Sequence, residues 1–202
     1  MPKVVVFDLG KVLVDFDYSI AADKIARRSR CDAATLFKLL SGPPLLHRYE
    51  TGLINRQEFY DEVCRLTGYA GGIEEFTLDF GDIFTEIPQM TAFHAILREH
   101  RIPTWIFSNT NDIAVEHIRN RFPFFQTFTG YVFSYEERSM KPDAKIYEAI
   151  ERQTGRSEGS ILYMDDRLEN IEAGAARGWR TIQHQTPEQT LAAVRKTGLP
   201  IG

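Results

Sequence analysis

Val4-Val5-Val6-Phe7-Asp8-Leu9-Gly10-Lys11-Val12-Leu13 is the stretch on which the reading of this chain turns. Four consecutive apolar residues, three of them β-branched, predict a strand buried on both faces, as in the interior of a parallel sheet. The strand runs directly into Asp8, and Gly10 two residues later permits a tight turn. Open α/β sheets build their sites outside the carboxyl ends of such strands. Taken alone, Asp8 serves equally well as a cap for the turn, so its meaning depends on what the rest of the chain brings beside it.

Outward from this strand the sequence changes rhythm twice. From about Asp15 to Phe84 there is no convincing buried strand, and apolar spacing predicts helices over Tyr18 to Ser29, Ala33 to Leu40, Arg56 to Leu66 and Ile73 to Phe84. Ser41-Gly42-Pro43-Pro44 breaks the second, and Asn55 with Glu58 forms a capping box for the third. About 70 helical residues between two strands far exceed a crossover of about a dozen, so this segment is expected to be an inserted cap. From Pro88 helices alternate with strands at Thr104 to Ser108, Gly130 to Ser134, Ile161 to Asp165 and Arg180 to Ile182. The expected fold is α/β: a doubly wound parallel sheet in a Rossmann-like three-layer core, residues 1–14 and 85–202, with a helical cap over 15–84. Phe122 to Phe128, with four phenylalanines, is expected to tuck a loop against the core, and any exposed remnant of it would mark a dimer contact.

Composition excludes several functions. At 202 residues, 43% hydrophobic and 26% charged, the chain is that of a globular protein and not a disordered one. A net charge of -4 gives no reason to expect nucleic acid, and no apolar stretch approaches the ~20 residues that cross a bilayer. Cys31 and Cys64 stand far apart and outside any metal-ligand spacing, which with the absence of a leader-like start predicts a cytoplasmic location, no disulfide and no structural zinc. A monomer or weak homodimer, with neither nucleic acid nor membrane as partner, is the expected state.

Chemistry collects at the strand ends. The first ends in Asp8, the second in Ser108-Asn109, the third is followed by Met140-Lys141-Pro142-Asp143, and the fourth ends in Asp165-Asp166. In a parallel sheet these converge on one crevice. Carboxylates held together resist ionisation and call for a cation, and oxygen ligands without nearby His or Cys point to Mg²⁺. Ser108, the backbone N–H of Asn109 and Lys141 suit the remaining oxygens of a phosphoryl group.

These four motifs, in this order and with a cap after the first, resemble those of the haloacid dehalogenase-like hydrolase superfamily, and the likeness covers essentially the whole chain. Within it the chain is most similar to bacterial sugar-phosphate phosphatases of the glucose-1-phosphate type, whose first motif also reads Phe-Asp-Leu-Gly, and more loosely to the phosphatase domain of epoxide hydrolases. The resemblance implies that Asp8 is the nucleophile that forms an aspartyl-phosphate on a small phosphorylated metabolite. It implies Ser108 and Asn109 at the phosphoryl group and Lys141 between phosphate and Asp8. Asp8, the Gly10 carbonyl and Asp166 would hold Mg²⁺, Asp165 would orient its water, and Asn170 would support this shell. Gly10 departs from the pattern, since many relatives carry an aspartate there as general acid/base. The reading therefore expects an unassisted mechanism, with a cap carboxylate, Glu50 or Asp17, as the competing source of the proton. Asp15, Asp17, His47, Tyr49 and Glu50 are the candidates to face the crevice. The alternatives are a metal-independent haloacid dehalogenase and a phosphate-binding regulatory protein with little turnover.

Overall fold

Five parallel strands form the central sheet: β1 (Val4–Phe7), β4 (Thr104–Ser108), β5 (Gly130–Phe133), β6 (Ile161–Asp165) and β7 (Arg180–Gln183), in the spatial order β5-β4-β1-β6-β7. The structure is a computed structural model that describes residues 1–199, so residues 200–202 of the expected core segment lie outside the described residues. The first strand is the centre of the sheet because all four of its residues are buried. The period of two decides what each face carries. Val5 and Phe7 join the core beneath α6 (Pro88–Glu99), α7 (Asp112–Arg121) and α11 (Pro187–Arg195). Val4 and Val6 face the opposite layer, beneath α9 (Ala144–Thr154) and α10 (Leu168–Ala176).

The register pairs Phe7 with Ile106 on one side and with Met164 on the other, so Asp8, Ser108 and Asp165 end neighbouring strands. The chain reverses direction across the sheet between β1 and β6, the switch point where doubly wound sheets open a crevice.

Between the first strand and the rest of the sheet lie α1 (Tyr18–Ala26), α2 (Ala33–Leu40), α3 (Leu45–Glu50), α4 (Arg56–Thr67) and α5 (Ile73–Gly81). They bury a hydrophobic core of their own, in which Tyr49 stacks on Phe59 at 4.4 Å and Phe76 on Phe80 at 5.8 Å. Asn55 and Glu58 form the expected capping box, and Gly68 ends α4 in the left-handed region.

The structure corrects the sequence reading in three places here. A two-stranded antiparallel ribbon, β2 (Val14–Phe16) with β3 (Phe84–Glu86), joins the helical segment to the sheet. It takes Phe84, expected at the end of the preceding helix, into a strand. Strands of three residues are too short for alternation to reveal them. The short α3 and α8 (Ser134–Glu137) were missed for the same reason. The Phe122 to Phe128 segment does tuck inward, as a 3₁₀ turn with Phe125 fully buried.

The helical segment is fastened to the core by side chains from α3 and α4. Tyr49 Oη donates to Asp112, Arg56 Nε binds Asp112 at 2.8 Å, and Arg56 also reaches Glu116 at 2.5 Å. Ser134 Oγ donates to the Glu50 carbonyl at 2.5 Å and accepts from Thr110 N at 2.9 Å, which ties the end of α3 to the loop after β4. Gly52, with φ at +69, lets the chain leave α3 so close to α8 that an added Cβ would lie 2.2 Å from the Tyr135 carbonyl oxygen.

Candidate active site

Lys141 is the hub of the site. Its ammonium lies 2.6 Å from Asp165 and 3.0 Å from Asp8, and it donates to the Phe107 carbonyl at 2.8 Å. All three charged groups are buried: Lys141 is 5% exposed, Asp8 7% and Asp165 0%. Burial disfavours the Lys141 ammonium, but Asp165 and Asp8 outweigh it and hold its pKa above the ordinary value.

The two adjacent aspartates play unlike parts, because successive residues leave a strand in different directions. Asp165 has both oxygens occupied. One accepts from Lys141 and from the Tyr163 hydroxyl; the other accepts from Arg167 N at 2.9 Å and Asn170 Nδ2 at 3.0 Å. Burial works against its ionisation, yet Lys141 and these donors bring its pKa down to about 2. Asp166 is half-buried, lines the cavity and has no side-chain hydrogen bond among the described residues. Burial, and then Asp165, push its pKa up. Asp8 is raised further, first by burial and then by Asp165, with Lys141 opposing.

Oxygens of Asp8, Asp165 and Asp166 all lie within 4.8 Å of one another. Three carboxylates against one ammonium leave an excess of two negative charges, the nearby Arg167 guanidinium being paired with Glu169. An all-oxygen cluster with this excess fits a hard divalent cation. The buried Oδ1 of Asn170, unpartnered among the described residues, adds an acceptor beside the group.

The remaining predicted residues fall around this hub. Ser108 is 3% exposed and lines the cavity. Asn109 does not offer its side chain: its amide donates to the Lys141 carbonyl at 2.9 Å and accepts from Lys141 N at 2.8 Å, leaving the backbone N–H for a ligand. Asn109 therefore braces the lysine loop, a role invisible in sequence because the two residues are 32 apart. Tyr163 was also missed, though its place two residues before Asp165 puts it on the same face of β6.

Above these groups lies a cavity of about 480 Å³, within the range that suits small-molecule ligands. Its floor includes Asp8, Ser108, Lys141 and Asp166, and the helical segment contributes Tyr18, Phe37, Leu46 and Glu50. Among the five cap candidates, Asp17 and Glu50 reach the cavity. Asp15 pairs with Lys11, Tyr49 is buried against Asp112, and His47 is exposed. Asp17 is occupied as the N-cap of α1, accepting from Ser19 N at 2.8 Å. Burial pushes the Glu50 carboxyl up to about 7, with Arg167 opposing. Of the other histidines, His94 stacks on Phe128 in the core, where burial lowers its pKa to about 4, and His184 is bonded to Thr190.

Residues 2–178 match the haloacid dehalogenase-like hydrolase family. The D-ribitol-5-phosphate phosphatase of Bacteroides thetaiotaomicron is 23% identical over 189 residues, spanning 91% of this chain and 92% of that protein. A sesquiterpene phosphatase of Aspergillus oryzae is 24% identical over 178 residues, 87% of this chain and 86% of its own. Among solved structures, a B. thetaiotaomicron enzyme of the same family, in complex with magnesium and inorganic phosphate, superposes with a TM-score of 0.80. It is 22% identical, and the match covers 92% of this chain and 95% of that one. No helix among the described residues is long and apolar enough to cross a membrane.

Proposed function

The chain belongs to the haloacid dehalogenase-like hydrolase family, and from that premise we propose that it is a Mg²⁺-dependent phosphatase of small phosphorylated metabolites, sugar and sugar-alcohol phosphates above all. The uncompensated negative charge around Asp8 carries the reading. A phosphate dianion would be repelled from such a floor unless a divalent cation met it there. The same charge disfavours a haloacid dehalogenase, whose substrate is itself a carboxylate and which has no metal to offset it. The similarity to a sugar-alcohol phosphate phosphatase over nine-tenths of the chain, and the cavity size, support the substrate class.

Asp8, Asp166 and the Gly10 carbonyl would hold the ion. Bound Mg²⁺ would neutralise phosphoryl charge and polarise the phosphorus–oxygen bonds. Asp8 attacks phosphorus through a carboxylate oxygen and forms the aspartyl-phosphate, which water then hydrolyses. Lys141 fixes the Asp8 carboxylate and meets charge that develops on the phosphoryl oxygens. Ser108 and the Asn109 N–H receive those oxygens, and Asp165 holds Lys141 in place. The four hydrogen bonds to Asp165 support its role in holding Lys141 and the shell of the site, with Asp166 the freer carboxylate for the ion.

Phosphate release from a panel of sugar, sugar-alcohol and aryl phosphates, with Mg²⁺ and with chelator, tests the proposal. Release that needs Mg²⁺ is expected, and Asp166→Ala should raise the Mg²⁺ needed for half-activity by at least about tenfold. Turnover indifferent to chelator, or halide release from 2-haloacids in its place, would overturn it.

A further inference from the structure

The position two residues after Asp8 holds no acid, and the Phe16 ring occupies the space beside it. A Cβ added at Gly10 would stand 2.8 Å from the Phe16 ring, and that ring is held edge-on by Tyr18 at 5.7 Å and Phe84 at 6.1 Å. An aspartate side chain at residue 10 would need the Phe16 ring to turn away from its packing on Tyr18 and Phe84. The sequence predicts an unassisted mechanism, and the structure brings a cap carboxyl to the same cavity.

Glu50 lines the same cavity from above, half-buried, with no hydrogen bond or ion pair to its carboxyl among the described residues. Its backbone is not free to wander. The Ser134 hydroxyl holds the Glu50 carbonyl at 2.5 Å while accepting from Thr110 N, two residues beyond Ser108. Tyr49, its neighbour, is fixed to Asp112 at the start of α7, and Gly52 seats the following turn on α8. The competing cap carboxylate, Asp17, is taken up in capping α1. The carboxyl of Glu50 is thus unengaged, and the residue, placed by the core, lines the chamber that Asp8 and Ser108 also line.

The geometry points to Glu50 as the general acid and base of the reaction, donating to the leaving oxygen in the first step and activating water in the second. The inference rests on the reading of Asp8 as nucleophile. As the Asp8 oxygen bonds to phosphorus, the bond from phosphorus to the ester oxygen breaks, its electron pair stays on that oxygen, and the Glu50 proton passes to it to release the free alcohol. The Glu50 carboxylate then takes a proton from water as the water oxygen attacks phosphorus. The phosphorus–Asp8 bond breaks, and Asp8 carboxylate, phosphate and protonated Glu50 are restored. The groups around Glu50 suit the cycle: the phenol of Tyr18 on α1 stays neutral in its burial, and the Arg167 guanidinium after β6 tempers but does not cancel the effect of burial. Lys11 and Asp17 share the cavity, and each already has a partner, Asp15 and Ser19 N.

The test is single-turnover phosphoryl transfer from esters of graded leaving-group basicity, a dinitrophenyl phosphate at one end and a sugar-alcohol phosphate at the other. Wild type, Glu50→Gln and Asp8→Asn are compared with Mg²⁺ present, each first shown to be folded by its thermal transition. In Glu50→Gln, transfer from the alkyl ester should slow by about 10²–10⁴-fold, while transfer from the dinitrophenyl ester should change by less than about tenfold. The second step should slow as well, so with the dinitrophenyl ester in excess over Glu50→Gln, dinitrophenol should appear in a burst stoichiometric with enzyme before steady turnover. An equal loss on all esters, or no loss, with Asp8→Asn inactive, would overturn the role of Glu50 alone. Turnover retained in Asp8→Asn would remove the nucleophile reading, and this inference with it.

Discussion

Asp8→Asn should make the protein more stable while abolishing its turnover. The amide keeps an acceptor for Leu9 N, which the carboxylate binds at 2.7 Å, and for Lys141 at 3.0 Å. What it removes is a negative charge held among others of its own sign. With oxygens within 4.8 Å and an effective dielectric constant of about 20, each of the repulsions from Asp165 and Asp166 is worth at least about 3.5 kcal/mol. The attraction to Lys141 at 3.0 Å is about 5.5 kcal/mol on the same scale. The balance is repulsive by about 1.5 kcal/mol, and burial of the charge raises the expected gain to roughly 2 kcal/mol. Linkage sets a ceiling: with the ordinary carboxyl at 3.8, ionisation lost at pH 7 costs at most about 4 kcal/mol. The sign follows from the raised pKa of Asp8 in the folded state. The wild type loses stability relative to the variant as pH rises above the unfolded value, and the two converge below it. For a chain of this size, 2 kcal/mol corresponds to roughly 4–8 °C in Tm at neutral pH in chelator. Mg²⁺ should narrow or reverse the gap, since it stabilises the wild type by mass action and the variant less. Thermal and urea unfolding between pH 4 and pH 8, with chelator and with Mg²⁺, make the comparison. A variant less stable than wild type in chelator at pH 7 would refute the reasoning, because the carboxylate cluster would then not be repulsive.

Asn109→Ala should destabilise by about 2 kcal/mol, because it strips two partners from the backbone of Lys141, and its first-turnover rate should fall with it. Urea unfolding and single-turnover kinetics check this, and Asn109→Asp, which keeps only the acceptor, should restore part of both. Gly52→Ala should cost at least about 1–2 kcal/mol, since the left-handed backbone at φ +69 disfavours a side chain and the Tyr135 carbonyl blocks it. An unchanged thermal transition in that variant would show that the end of α3 is not seated on α8 as described.

Much of this protein is legible before it folds. The apolar run Val4 to Phe7 announces a strand buried on both faces because a parallel sheet covered by helices leaves no face for polar residues. The alternation of helix and strand after Pro88 then puts the strand ends Asp8, Ser108-Asn109 and Asp165-Asp166 side by side, since parallel strands share one carboxyl edge. These are local patterns of hydrophobicity and turn chemistry, and they survive without knowledge of partners. Contacts across long separations do not. That Asp165 is saturated while Asp166 is free depends on Lys141, Tyr163, Arg167 and Asn170 arriving at one carboxylate and not at its neighbour. The side-chain amide of Asn109 braces Lys141 because two loops meet. Gly10 is readable as a missing acid, but the Phe16 ring standing beside it, and the hydroxyl of Ser134, 84 residues on, holding the Glu50 carbonyl, are decided by packing. Sequence periodicity selects the elements and their edges, whereas the final pairing of side chains is settled by close packing, in which a shift of an ångström changes who bonds to whom.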